Sequence, residues 1–187
     1  MLPPRVARAI DRAHELGFQL SSEPPVGQLL SALAAAVPPS GRILELGTGA
    51  GVGLAWLVEG LNNRSDVEVI TVDLDGERQR AVQLDAWPEF VRFEVGDGAT
   101  VVGASGTFNL VFADAPGGKT TGLDRTIAAL APGGILVVDD MKIWPDGDAL
   151  RHASINRVKD QLGKSSELVL AEIDFSSGVI LAVKRRG

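Results

Sequence analysis

The stretch that most limits how this chain can fold is Arg42-Ile43-Leu44-Glu45-Leu46-Gly47-Thr48-Gly49-Ala50-Gly51, a short apolar run that opens into three alternate glycines. It reads as a buried strand feeding a tight turn. Beyond it, Leu54, Leu57, Val58 and Leu61 recur at i, i+3, i+4 and i+7, the spacing of one helix face. The unit is therefore strand, glycine loop, helix. Glycine has no Cβ, so such a loop can take positive φ and let a ligand approach the backbone, while the helix behind it offers free N–H groups. A glycine turn with no ligand is the plainer alternative. A dinucleotide fold would want G-x-G-x-x-G; here Gly47, Gly49 and Gly51 make G-x-G-x-G, and Val52 holds the sixth position.

Glu45-Leu46-Gly47-Thr48-Gly49-Ala50-Gly51 after a strand resembles the first motif of the class I S-adenosylmethionine-dependent methyltransferases. The resemblance implies S-adenosylmethionine as cofactor, held by Gly47, Thr48, Gly49 and Gly51. A carboxylate inside an apolar strand is costly unless hydrogen-bonded or paired, and the resemblance puts the partner of Glu45 at the cofactor site or in the shell that supports it. Residues 67–73 read as a second strand ending in an acid. Asp73 stands 22 positions beyond Gly51, about where a βαβ unit places the carboxylate that accepts both ribose hydroxyls, with Leu74 beside it. Strand-end aspartates also cap helices, and Asp75 is placed to cap the next one. After a third strand over residues 90–95 comes Gly96-Asp97-Gly98-Ala99; the resemblance sets Asp97, with Gly98, near the exocyclic amine of adenine. An aspartate in a glycine-flanked turn is otherwise routine.

The rest of the chain alternates in the same way. Ahead of the glycine loop, Val6, Ala9, Ile10 and Ala13 mark one helix face, closed by Gly17. A second helix follows Ser21-Ser22-Glu23-Pro24-Pro25, where serine can cap and proline suits the first turn; its face is Val26, Leu29, Leu30, Leu33, Ala34 and Val37. Residues 1–40 thus form a helical flank that covers the sheet, and the resemblance makes 22–26 part of a lid. Later come a helix over residues 75–87, a fourth strand over 108–113, helical spacing at Leu123, Ile127 and Leu130, a turn at Ala131-Pro132-Gly133-Gly134 and a fifth strand over 134–138. Leu150, Ile155, Val158 and Leu162 suggest a last helix ended by Gly163. Strands at 168–173 and 179–183 are joined by five residues, too few for a helical crossover, so they make an antiparallel hairpin. The expected architecture is α/β: a Rossmann-like methyltransferase fold with a seven-stranded, mostly parallel sheet, helices on both faces and a C-terminal hairpin. Residues 1–187 read as one domain, with the cofactor-binding core at 41–187; 187 residues suffice for one substantial core.

Both acid clusters that follow the fourth and fifth strands, Asp114 and Asp139-Asp140, fall at carboxyl ends of parallel strands, where open α/β sheets bind ligands. This resembles the catechol and caffeoyl-coenzyme A O-methyltransferase branch, which holds a divalent cation on an acid after the fourth strand and an Asp-Asn pair after the fifth. The resemblance implies Asp114, Asp139 and Asp140 as ligands of magnesium or another divalent ion, with Asp140 in place of the usual Asn; carboxylate oxygens suit hard cations. It also implies Lys119, five residues past Asp114, as the base that deprotonates the acceptor, with Asp114 beside it as a catalytic group. The reaction implied is O-methylation of a small, catechol-like hydroxylated acceptor. Alternatives are metal-independent methylation of another acceptor and, from a different class, nicotinamide-dependent oxidoreduction.

Composition narrows the partners. A net charge of −6 speaks against a large basic nucleic-acid footprint, and the lack of cysteine excludes disulfides, thiolate metal sites and cysteine nucleophiles. Met1-Leu2-Pro3-Pro4-Arg5 lacks the apolar core of a signal peptide, and nowhere do 18 apolar residues run unbroken. The expectation is a cytoplasmic protein that engages no membrane and, by resemblance, a possible homodimer. His14 and His152 fall in helical stretches away from the acids, as packing or surface residues, and Trp144 could wall an acceptor pocket or the core.

Overall fold

The computed structural model describes residues 2–187. In chain order its elements are α1 (Pro4–Glu15), α2 (Pro24–Ala35), β1 (Arg42–Leu46), α3 (Val52–Leu61), β2 (Glu68–Asp73), α4 (Gly76–Gln83), β3 (Val91–Val95), α5 (Gly98–Ala104) and β4 (Phe108–Ala113). There follow α6 (Pro116–Lys119), α7 (Leu123–Ala128), β5 (Leu130–Val138), α8 (Ala149–Gly163), β6 (Leu168–Ile173) and β7 (Val179–Lys184). One seven-stranded sheet runs in the order β3-β2-β1-β4-β5-β7-β6, with β7 antiparallel to both neighbours. The expected Rossmann-like sheet with its terminal hairpin is what forms. Strand order reverses between β1 and β4, and the crevice at their carboxyl ends is where the glycine loop lies.

Period-2 alternation sorts the strand residues onto two cores. Ile43, Val69, Leu110, Phe112 and Val137 face α1, α2, α3 and Val82 of α4, whereas Leu44, Leu46, Ile70, Val111 and Leu136 face α5, α7 and α8. No helix among the described residues is long and apolar enough to cross a membrane.

The structure departs from the sequence reading in several places, among them β5, which begins at Leu130 instead of 134, and the helices α5 and α6, which no spacing marked. α3 is buried nearly all round rather than along one stripe, with Val52, Ala55 and Trp56 covered as well as Leu54, Leu57, Val58 and Leu61. The cause is α2, which lies over its outer side at very short range. A Cβ on Gly27 would stand 2.1 Å from the Trp56 indole, and one on Gly60 would stand 2.0 Å from the Ser31 carbonyl oxygen. No serine caps α2; Glu23 holds the N-cap position without a side-chain bond. α4 stops at Gln83 instead of running to Trp87, because Asp85 turns away to pair with Arg12 and the Trp87 indole donates to the Val82 carbonyl at 2.7 Å. The turn expected at 131–134 is a bulge inside β5, since Phe108 pairs with Leu130 while Leu110 pairs with Ile135. Leu150 points outward at the start of α8, whose buried side is Ile155, Val158 and Leu162.

Candidate active site

The three loop glycines all have left-handed backbones, with φ of 107° at Gly47, 52° at Gly49 and 79° at Gly51. Their turn is pinned to β2: Gly47 and Thr48 donate their N–H groups to the Val72 carbonyl, and Gly49 donates to Asp73 Oδ2 at 2.7 Å. Above the loop lies a cavity of about 310 Å³ lined by Gly47, Thr48, Gly49, Asp73, Leu74, Gly98 and Asp114 among the expected residues. A Cβ on Gly47 would reach 3.0 Å from Ala115 and one on Gly49 would reach 2.8 Å from the Phe18 ring, so side chains here would fill the space. Gly51 lies behind the cavity, as the N-cap of α3. Asp97 does not line the cavity, though Gly96 and Gly98 on either side of it do; its carboxylate caps α5 by accepting from Ala99 N–H and the Thr100 hydroxyl.

Glu45 lies beneath the loop and does not line the cavity. Its carboxyl accepts from the Thr71 hydroxyl, Thr71 is 2.7 Å from the Thr48 hydroxyl, and Gln79 of α4 donates to Thr48 at 3.2 Å and to the Glu94 carbonyl at 3.0 Å. This buried polar chain ties β1, β2, β3, α4 and the loop together. The other Glu45 oxygen, Oε1, has no hydrogen-bond partner, and a Cβ on Gly53 would sit 2.5 Å from it. Burial pushes the Glu45 carboxyl up to about 8, against the pull of the Thr71 hydroxyl and with a further push from Asp114 and Asp73.

A second, smaller cavity of about 130 Å³ opens next door, lined by residues 19–23 together with Asp114, Asp139, Asp140 and Ser177. Asp114 lines both cavities, as do Leu20, Ser21 and Ser22 of the α1–α2 linker. The expected lid segment is thus met in part: Ser22 and Glu23 line the cavities together with residues 18–21 before them, while Val26 is wholly buried in α2. Three carboxyl groups do converge at the ends of β4 and β5, but the ammonium of Lys119 lies among them. Its Nζ is 3.7 Å from Asp114 Oδ1 and 3.6 Å from Asp140 Oδ2, and it donates to the Asp139 carbonyl at 3.3 Å. The Asp139 carboxylate accepts from the Ser177 hydroxyl and from Asp140 N–H, and Arg151 pairs with Asp140 at 3.3 Å. Burial raises Asp114 to about 8; Lys119 opposes this, and Asp139 and Asp140 add to it. Asp139 is also raised, by burial first.

The family model described as a methyltransferase domain matches residues 44–141, which span β1 to the Asp139-Asp140 corner. A Mycolicibacterium smegmatis protein whose name assigns it to the O-methyltransferases is 31% identical over 96% of this chain and 90% of its own length. The chain belongs to this family of O-methyltransferases. Among solved structures, cofactor-bound Rv0187 from MTB superposes with a TM-score of 0.85 at 22% identity, over 100% of this chain and 92% of that one. The O-methyltransferase TomG from Streptomyces achromogenes, in complex with SAM, gives 0.79 at 21% identity, over 99% and 91%. These two likenesses speak for the fold.

In this methyltransferase the glycine cradle fits a ligand that must lie against backbone, and Ser21 Oγ, buried without a partner, is free to bind one. The carboxylate cluster does not fit a divalent ion as arranged. One oxygen of Asp114 faces Lys119, one of Asp139 accepts from Ser177 and from Asp140 N–H, and both of Asp140 face Lys119 or Arg151, while the described residues hold no group of three or more His, Cys, Asp or Glu set to hold a metal. Asp140 has a left-handed backbone, φ 65°, a conformation that Asn and Asp tolerate better than other residues with a side chain.

Several site residues carry little signal in the sequence. Arg78 reaches the cavity from α4, bonded to the Asp75 carboxylate at 2.7 Å and stacked 4.7 Å from the Phe18 ring centroid. The three-residue spacing from Asp75, itself the N-cap of α4, would have found it. Phe18, Leu20 and Ser21 lie in an irregular linker, and Ser177 comes from the distant β6–β7 turn; no periodicity marks any of them.

Proposed function

We propose that this methyltransferase moves the methyl group of S-adenosylmethionine to a hydroxyl oxygen of a small, catechol-like acceptor held in the smaller cavity. The observation that carries this reading is the wall formed by Asp114, one carboxyl group shared by the cavity over the glycine loop and the cavity among the charged side chains.

S-Adenosylmethionine, when bound, supplies a methyl carbon on a sulfonium sulfur, a leaving group that needs no activation. The chain's task is positioning. Backbone from Gly47 to Gly49 takes the methionine end, the Asp73 carboxylate accepts from the ribose hydroxyls, and Gly96, Asp97 and Gly98 flank the adenine. Thr48 orients the loop from below through Thr71, and Leu74 covers the outer side. Holding the acceptor oxygen in line with the methyl carbon converts an encounter into a near-unimolecular step, which supplies much of the rate. The acceptor hydroxyl must also lose a proton, and Asp114, with a pKa near the working pH, takes it. Lys119 beside it holds the developing charge. Neither donor set nor geometry supports routing this step through magnesium.

The test is methyl transfer from labelled S-adenosylmethionine to a panel of catechols and simple phenols, with products identified by mass spectrometry. O-Methyl products from at least one acceptor are expected. Transfer to amines alone would remove the hydroxyl assignment while leaving the methyl donor in place.

A further inference from the structure

The Lys119 ammonium lies between the Asp114 and Asp140 carboxyl groups and against the Asp139 carbonyl, and the backbone is shaped to put it there. Within α6 the non-helical torsions of Gly117 (ψ 112°) and Gly118 (φ 93°) fold the segment back so that the lysine crosses to the end of β5. A larger residue at Gly118 would be strained by the φ of 93° and would push its Cβ to 2.3 Å from Leu46 Cδ1. The side chain is almost wholly covered, so it is a built part of the site and no solvated charge.

We propose that Lys119, which lies behind the carboxyl groups lining the acceptor pocket, is the resident cation of the site: its ammonium takes the place of a divalent metal in balancing their charge. This rests on the hydroxyl-acceptor reading given above. An ammonium carries three donors. Only the Asp139 carbonyl is within hydrogen-bonding range, while Asp114 and Asp140 stand at ion-pair distances of 3.7 and 3.6 Å, so the ammonium serves the two carboxyl groups by charge. A hard divalent ion would need about six oxygen ligands at roughly 2.0–2.6 Å. It would find these carboxylates occupied and a positive charge already at their centre.

The deciding experiment reads cation binding separately from catalysis. Mn²⁺ is titrated into the full-length protein and free Mn²⁺ followed by electron paramagnetic resonance, for the wild type, Lys119→Ala and Lys119→Met. The wild type is expected to show no saturable site in the millimolar range and to keep its methyl-transfer rate in excess chelator. Lys119→Ala, which removes the cation between the Asp114 and Asp140 carboxyl groups, is expected to bind Mn²⁺ at least tenfold more tightly than the wild type. Lys119→Met is expected to lose at least tenfold in kcat/KM with S-adenosylmethionine affinity unchanged. If Lys119→Ala folds only with Mn²⁺ present, a melting transition that appears on adding the ion supports the same conclusion. A saturable wild-type Mn²⁺ site abolished by Asp114→Asn, or activity lost in chelator and restored by Mg²⁺, would overturn it. Failure of every hydroxyl acceptor would instead count against the functional reading, since the Mn²⁺ titrations do not depend on turnover.

Discussion

The floor of the glycine loop and the ends of β4 and β5 each bury a carboxyl group with a pKa raised to about 8, and they accommodate it by opposite means. Glu45 is surrounded by neutral donors: two threonine hydroxyls and a glutamine amide hand one hydrogen bond to the next. Asp114 is surrounded by charge, with Lys119 against it and two more aspartates behind. The first arrangement holds a shape, because its members are linked by hydrogen bonds and only Thr48 among them lines the cavity. The second holds a charge balance that a ligand can alter. Two carboxyl groups raised to about the same value therefore sit in different settings, a neutral polar support in one place and a cluster of charges in the other.

The sharpest way to break this contrast is Asp114→Asn. If Asp114 takes the proton, kcat should fall by about 100-fold or more. The rise of kcat/KM toward pH 8 in the wild type should also vanish from the variant's pH profile. A variant with an unchanged profile would move Asp114 into the supporting class with Glu45.

Glu45→Gln should act on stability and leave the chemistry alone. In the folded state the Glu45 carboxyl keeps its proton up to about pH 8, whereas in the unfolded chain it releases it near the ordinary value of 4.5. Between those values the folded state binds more protons, so this group's contribution to stability falls as pH rises from about 4.5 to 8 and is flat above. Asp114 contributes with the same sign. Glu45→Gln should therefore flatten the pH dependence of the urea midpoint, gaining on the order of 3 kcal/mol relative to wild type between pH 5 and 9. Equal slopes for the two proteins would show that Glu45 is ionised in the fold.

Asp73→Ala should weaken S-adenosylmethionine binding by about 2 kcal/mol, roughly 30-fold, as measured by calorimetry. Part of that loss comes from the loop, because Asp73 also accepts from Gly49 N–H and Asp75 N–H. The smallest effect is expected for Thr48→Val, which cuts the polar chain in the middle but leaves Gln79 its carbonyl partners; a loss of about 1 kcal/mol in unfolding free energy is expected. A much larger loss would mean that the chain acts as one cooperative network.

Much of the sheet was legible because its strands are short apolar runs bounded by glycine and acid, and because a five-residue joint leaves a hairpin no alternative. The lining of the cavity over the glycine loop was legible for a similar reason, since Gly47, Gly49 and Asp73 lie within one βαβ unit and their spacing is local. What stayed hidden depends on side-chain direction across elements far apart in sequence. Lys119 was visible as a candidate base, but its place among three carboxyl groups follows from backbone torsions at Gly117 and Gly118 that no periodicity encodes. Likewise α3 has a regular stripe on one side, and only the glycines of α2 and α3 reveal that its other side is covered too.

Asp140 makes the charge of the pocket easy to change in evolution. Its left-handed backbone favours glycine, asparagine or aspartate, so the position behaves almost as a binary switch between neutral and negative. An Asp-to-Asn exchange there removes one anion without moving the chain. A lineage that also exchanged the lysine at 119 for a neutral residue would be left with two buried carboxylates, which a divalent ion matches in charge. Two substitutions, neither requiring a new fold, thus separate a pocket that carries its own cation from one that must acquire it.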